Sequence, residues 1–241
     1  MNYRKLLFFS LAPIIFSFSF FASINLPDSF GKTNFIVGVD PQELINKSGK
    51  PASCPTPKTF PEILRPTKQG VKCALFAPND AICDILINLI KHEKTSIKMA
   101  AYLLTEHNVI KELIAAKKRG INVTIIFDPH GINHKLAKVA HSLADSGIEV
   151  FVYKPDKLKK ESSKLSYIMH HKFIVFDHNV FERGFVWTGS FNFTYSAYKA
   201  NQENVVIFDD RQLIQAFTKQ FDDMQSQLCY RYRGKRTKKK S

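Results

Sequence analysis

Hydrophobic and polar positions follow two different periods along the chain after residue 70, and each period predicts a different element. Short apolar runs rich in β-branched and aromatic residues predict strands at 72–77, 96–103, 122–127, 148–153, 167–176, 185–188 and 203–208. Apolar residues spaced by three and four predict helices after Asn79 or Asp80, from Thr105 to Gly120, from Lys135 to Ser146 and after Asp209 or Asp210. The last helix is expected to pack through Leu213, Ile214, Phe217, Phe221 and Met224. This alternation predicts an α/β fold, in which a mixed sheet is flanked by helices on both faces as an α-β-α sandwich.

The regions outside this pattern divide the chain into four parts. Residues 1–24 contain Arg4 and Lys5 followed by an apolar stretch, which indicates either a cleaved export signal or a retained membrane anchor. Both alternatives leave the basic residues in the cytoplasm and predict export of the domain to the periplasm, the medium or the outer side of the membrane. Residues 25–69 are rich in proline and polar residues and predict a linker with one short helix at 41–46. Residues 70–228 are expected to form the folded domain, and residues 229–241 a basic tail.

The charge of the chain favours a polyanionic partner. The formal net charge is +14 and the isoelectric point is about 9.6, which suits either nucleic acid or an anionic phospholipid surface. Lysines crowd residues 154–164, and seven lysines and arginines crowd residues 231–240. Such runs strengthen binding to a phosphate backbone without reading its sequence.

The four cysteines leave their redox state open. Cys73 and Cys83 flank a strand-to-helix turn, where they could form a local disulfide that leaves Cys54 and Cys229, or remain buried thiols. The chain contains no C-x-x-C pair, which argues against a cysteine zinc site.

The most informative segment has the pattern H-x-K-x4-D, formed by His170, Lys172 and Asp177. If residues 167–176 form one strand, His170 and Lys172 share a face, because side chains two apart point the same way. His171 would then lie on the opposite face, in the core.

A second polar pattern follows, with Ser190 and Asn192 in a G-S-x-N sequence. An imidazole can attack phosphorus or move a proton, whereas an ammonium, a hydroxyl and an amide can hold non-bridging oxygens. The combined residue types therefore suit a phosphate ester.

These two motifs resemble the signature of the phospholipase D superfamily, and the resemblance extends from about Val71 to about Gln227. The chain is most similar to small bacterial endonucleases and exported phospholipase-D-like proteins that carry one motif copy. Residues 96–102, 115–120 and 201–206 support the resemblance. The spacer from Asp177 to Gly189 is longer than is usual in the family, and residues 178–187 are expected to hold a short hairpin turn.

The resemblance implies a mechanism, a phospholipase-D-like mixed sheet and a homodimer. The superfamily needs two histidines in one site, and a second motif copy is missing, so the site is expected on a two-fold axis. His170 would attack phosphorus, and the partner subunit's His170 would protonate the leaving oxygen and then activate water. Lys172, Ser190 and Asn192 would stabilise the transferring phosphate, and Glu203 would fix the His170 tautomer.

Asp177 is expected to support the motif structurally, and neither a cofactor nor a metal is implied. His130 and His134 are spaced like metal ligands, but a glycine lies between them and no H-E-x-x-H is present, so loop histidines are predicted.

Three substrate hypotheses follow. An endonuclease acting on DNA or RNA is preferred, because the basic segments suit a phosphate backbone. The alternative is a phospholipase D acting on phospholipid head groups or cardiolipin, and a third is a binder that does not catalyse.

Overall fold

The computed structural model describes residues 60–133, 136–154 and 167–233. The predicted export segment, the short helix at 41–46, His134, most of the lysine-rich loop and most of the basic tail lie outside the described residues. Within the described residues, no helix is both long and apolar enough to cross a membrane.

Within these described ranges, eight strands and five α-helices follow one another. The strands are β1 (Lys72–Ala77), β2 (Ser96–Ala101), β3 (Asn122–Phe127), β4 (Glu149–Tyr153), β5 (Lys172–Phe176), β6 (Phe185–Gly189), β7 (Glu203–Phe208) and β8 (Cys229–Arg231). The helices are α1 (Ile82–His92), α2 (His107–Lys118), α3 (Ala137–Asp145), α4 (Tyr195–Lys199) and α5 (Arg211–Leu228). Short 3-10 turns lie at Glu62–Leu64, Pro129–Ile132 and Val180–Glu182.

The eight strands form one mixed sheet in the order β1-β7-β6-β5-β2-β3-β4-β8. Strands β2, β3 and β4 are parallel, and the other neighbouring pairs are antiparallel. As a result β2, β3 and β6 end at the same edge of the sheet at which β5 and β7 begin. We call this the upper edge.

Helices cover both faces, as predicted. The apolar sides of α1, α2 and α3 pack on one face in a cluster that includes Leu86, Leu113 and Leu143. Helix α5 packs on the other face through Phe221 and Met224. The three-and-four spacing of these residues places them on one side of each helix, so the fold class predicted from the sequence is confirmed.

The ends of the folded unit differ from the predicted boundaries. Residues 60–69, predicted as linker, contain the fully buried Leu64, and Phe60 packs against the core. Strand β8, predicted as the start of the tail, pairs with β4, which places Arg231 opposite Phe151. A few apolar residues next to charged runs were enough to extend the core at each end.

Two local predictions were wrong. Leu213 is 46% exposed instead of packed, because it lies in the first turn of α5 at the margin of the apolar side formed by Ile214 and Phe217. Asp80 does not cap α1, because its carboxylate accepts a 2.7 Å hydrogen bond from the Phe76 amide and closes the preceding turn. Asp210, in contrast, caps α5 by accepting from the Leu213 amide at 2.9 Å.

Of the two alternatives left open for Cys73 and Cys83, the local disulfide is not formed, because Cys83 is a free thiol. Burial raises the pKa of Cys83 to about 12, and it has the same effect on Cys229. Both thiols therefore stay protonated at neutral pH and are poor nucleophiles.

Candidate active site

The upper edge gathers the polar residues singled out in the sequence. His170 lies two residues before the start of β5, Ser190 and Asn192 follow β6, and Glu203 is the first residue of β7. A bridge between Leu104 and Phe193 joins the segment after β2 to the segment after β6. Strand direction therefore brings together residues that lie up to 33 positions apart in the chain.

The motif strand is shorter than predicted, because β5 begins at Lys172 and residues 167–171 are not part of the sheet. Ala101, the last residue of β2, pairs with Lys172, and the pairing ends one step further on, where the Tyr102 amide donates to the His171 carbonyl at 3.0 Å. His170 is exposed, whereas Lys172 is only 7% exposed. The two side chains both pack against the Tyr102 ring where the strand begins.

Lys172 contacts both His170 and Tyr102 at the start of the motif strand. Its Nζ donates a 2.8 Å hydrogen bond to the carbonyl oxygen of His170 and lies 4.9 Å from the ring centre of Tyr102. The His170 ring packs edge-on against the same Tyr102 ring, with centroids 4.5 Å apart. Burial lowers the pKa of Lys172, and the carboxylate of Glu203 opposes this shift. A buried ammonium with one carbonyl partner retains donors for a phosphate oxygen.

His171, predicted in the core, is exposed because it precedes the strand. Its ring packs edge-on against Phe173, with centroids 5.4 Å apart. Desolvation lowers the pKa of His171, and the positive charge of Lys172 adds to this effect.

Ser190 is held by the strand that follows it. Its Oγ donates to Glu203 at 2.5 Å and accepts from the Asn204 amide at 3.0 Å. Gly189 allows this approach, because a Cβ at that position would lie 2.1 Å from the Asn204 carbonyl oxygen. Asn192 places its Oδ1 in a buried position with no hydrogen-bond partner among the described residues.

Glu203 does not contact His170 within the described chain. Its carboxylate accepts from Ser190 and, at 2.9 Å, from Asn201. The predicted role of Glu203 in fixing the histidine tautomer therefore stays a prediction.

Asp177 lies at the opposite end of β5 from His170, is exposed, and pairs through its backbone amide with Ser96 at 3.2 Å. Within the described residues its carboxylate makes no hydrogen bond. The strand separates it from the upper edge, and its expected structural support of the motif stays a prediction.

The sequence interpretation missed Asp128 and the role of Tyr102. Asp128 is completely buried directly after β3, and its Oδ2 accepts a 2.7 Å hydrogen bond from the amide of Met169, next to His170. Its Oδ1 accepts from His130. An aspartate at the carboxyl end of a parallel strand is a recognisable signal, because such ends meet at one edge. His130 lies in a 3-10 turn, outside the longer elements as predicted.

Within the part of the chain that the structure describes, no group of three or more histidine, cysteine, aspartate or glutamate side chains could hold a metal ion. The upper edge instead presents an exposed imidazole, a buried ammonium, a hydroxyl and an amide. These are groups for nucleophilic attack on phosphorus and for binding its oxygens. Fold and site together define a hydrolase of phosphodiester bonds.

Comparisons with known proteins give the same class. The family described as cardiolipin synthase, PLD-like domain, matches residues 86–225. A phospholipase D from Rickettsia felis is 31% identical over 202 residues, which are 82% of this chain and 91% of that protein. A mitochondrial cardiolipin hydrolase from Xenopus laevis is 28% identical and covers 70% of this chain and 72% of its own.

A solved structure of the phospholipase D family member Nuc from Salmonella typhimurium has a TM-score of 0.56 and 30% identity, covering 68% of this chain and 98% of that chain. The chain belongs to the phospholipase D superfamily and is a phosphodiesterase of that superfamily.

Proposed function

We propose that the chain is a metal-independent endonuclease that acts through a phosphohistidine on His170, in a site completed by a second copy of the chain. The observation that carries this proposal is that Nζ of buried Lys172 donates to the backbone carbonyl of exposed His170 at 2.8 Å, at the edge where Ser190 and Asn192 also lie. The nucleophile is accessible to a large substrate, and the ammonium is fixed behind it.

The reaction proceeds in two displacements. His170 attacks phosphorus and forms an N–P bond, while the bond to the leaving oxygen breaks and the partner subunit's His170 donates a proton to that oxygen. The partner subunit's His170 then removes a proton from water, whose oxygen attacks phosphorus and releases His170. Lys172 stabilises the negative charge that develops on the non-bridging oxygens.

The homodimer is part of the proposal, because the described upper edge supplies one motif histidine and the reaction needs two. A two-fold axis through the edge would bring the same residue from each copy together. The exposure of His170 supports this arrangement, because a second subunit can approach its ring.

Exposed aromatic and cationic groups at the upper edge favour nucleic acid as the substrate. Tyr195 is 63% exposed in α4, three residues after Asn192, and Lys199 lies in the same helix with its Nζ 3.9 Å from the ring centre of Tyr198. Stacking rings and cations along an open edge suit single-stranded nucleic acid. The net charge of +14 favours the same class of ligand.

Phospholipid is the second candidate, favoured by the relatives named phospholipase D and mitochondrial cardiolipin hydrolase. Exposed Ile168, at 43%, lies two residues before His170 and could contact an acyl chain. Nucleic acid and phospholipid both contain the phosphodiester bond that would be cleaved. They differ in whether this bond reaches the site on a polymer strand or on a membrane surface.

The test is cleavage by the purified full-length chain in excess EDTA, with His170→Ala as its inactive counterpart. Substrates are a single-stranded oligonucleotide and vesicles containing cardiolipin. Oligonucleotide cleavage by the wild type alone, with an acid-labile phosphate on His170 found by mass spectrometry, supports the nuclease. Vesicle hydrolysis without oligonucleotide cleavage would move the function to phospholipid, and activity that survives His170→Ala would exclude the mechanism.

A further inference from the structure

Asp128 holds His130 beside the candidate site through two hydrogen bonds. Oδ1 of Asp128 accepts from the backbone amide of His130 at 2.9 Å and from its ring Nδ1 at 2.6 Å. The carboxylate is completely buried, whereas the His130 side chain is 61% exposed. With Nδ1 bound to a fixed acceptor, the Nε2 atom on the far side of the ring is left facing outward.

The turn that carries His130 has little freedom to move. A Cβ on Gly131 would lie 2.7 Å from the carbonyl oxygen of Tyr102, so the turn packs directly on the backbone after β2. The Gly131 amide also donates to the Asp128 carbonyl at 2.9 Å. The ring of His130 is therefore placed by backbone contacts as well as by the carboxylate.

Tyr102 packs against both imidazoles. Its ring centroid is 4.5 Å from that of His170 and 6.2 Å from that of His130. His130 and the proposed nucleophile are therefore neighbours of the same aromatic ring on the same edge. This placement suits a contact to a neighbouring part of the substrate.

We propose that His130 binds the phosphate next to the scissile phosphate on a nucleic acid strand, an inference that rests on the proposed function. In the imidazolium form, which carries a proton on each ring nitrogen, Nδ1–H donates to Asp128 and Nε2–H donates to a non-bridging oxygen of that phosphate. The contact belongs to substrate binding, because the scissile phosphorus itself is served by His170 and Lys172. A substrate with a single phosphate cannot make this contact with His130.

The first test compares an oligonucleotide with bis(p-nitrophenyl) phosphate, a diester with one phosphate, for the full-length wild type, His130→Ala and His130→Gln. We expect KM for the oligonucleotide to rise about tenfold in both variants, as for one lost charge-assisted hydrogen bond. The kcat/KM for the one-phosphate diester should stay within about twofold of the wild type, as for a contact that this substrate does not make. Equal losses on both substrates would overturn the proposal.

His92→Ala is the matched control. His92 is also an exposed imidazole whose Nδ1 has a fixed partner, the Asn88 carbonyl at 2.8 Å, but it lies at the end of α1 towards the opposite edge of the sheet. Its removal should leave KM for the oligonucleotide unchanged. An equal rise in KM for His92→Ala would show a general effect of histidine charge and would overturn the assignment.

The second test is independent of turnover. In the His170→Ala background, binding of a fluorescent oligonucleotide is measured by anisotropy against salt at about pH 5.5, where histidine rings carry charge. Adding His130→Ala should reduce the slope of log K against log salt by about 0.7, the value for one phosphate contact on a single strand. An unchanged slope would overturn the inference. If the wild type cleaves neither substrate, the proposed function fails and the slope still decides the role of His130.

Discussion

The buried carboxylate of Asp128 gives the sharpest prediction, because one isosteric change removes its charge and one of its acceptors. In Asp128→Asn the amide oxygen can face either His130 or Met169, but not both. If it faces His130, an NH2 group opposes the Met169 amide, and two donors meet without an acceptor. If it faces Met169, the His130 backbone amide loses its acceptor instead.

The expected loss in the free energy of unfolding follows from the burial of both hydrogen-bonded residues. Met169 is 2% exposed and Asp128 is 0% exposed, so water cannot replace the lost bond. A buried donor left unsatisfied costs about 1–3 kcal/mol, and bonds to charged groups lie at the upper end, so the free energy of unfolding should fall by about 2–3 kcal/mol. Because the Met169 bond anchors the residue next to His170, a displacement of about 1 Å should lower kcat roughly 100-fold.

The assays are urea unfolding followed by circular dichroism, and hydrolysis of bis(p-nitrophenyl) phosphate, which reports the chemical step. Asp145→Asn is the control, because Asp145 is an exposed aspartate at the end of α3. Its effect on the free energy of unfolding should be within about 0.5 kcal/mol. An equally small change in Asp128→Asn, with kcat preserved, would refute the anchoring argument.

Three further predictions concern the rest of the site. Gly189→Ala should lower the free energy of unfolding by about 1–3 kcal/mol or more, since its Cβ would lie 2.1 Å from the Asn204 carbonyl; thermal unfolding measures this, and an unchanged midpoint contradicts it. Glu203→Gln should move the alkaline limb of the pH profile of kcat to lower pH. The Glu203 carboxylate raises the pKa of Lys172, so without this carboxylate the Lys172 ammonium loses its proton at lower pH. A limb that stays in place in a pH–rate profile counts against this. An equal mixture of wild type and His170→Ala, after subunit exchange, should retain about one quarter of the wild-type activity if each site needs both copies; retention of one half indicates independent subunits.

Several strands could be predicted to the residue, and the motif strand could not. The bounds of β1, β3 and β7 agree with the sequence prediction, because turn signals flank their apolar runs. The residues before Lys172 have the same strand-like composition as those after it, and composition does not show where a neighbouring strand ends. Ala101 is that end, so pairing with β2 decided the start of β5. Strand β8 was missed for a related reason. Three residues are too few to show an alternating apolar pattern, and β8 is recognised only by its pairing with β4.

The sequence by itself determined the reactive groups and the family, because residue types and their spacing along one segment are local properties of the chain. His170, Lys172, Ser190 and Asn192 could all be selected in this way. Only the tertiary structure decided which groups share the upper edge. Asp128 reaches Met169 across 41 positions, and no local pattern encodes that contact. Such contacts depend on strand order and direction, which are set by the packing of the whole sheet between its two helical layers.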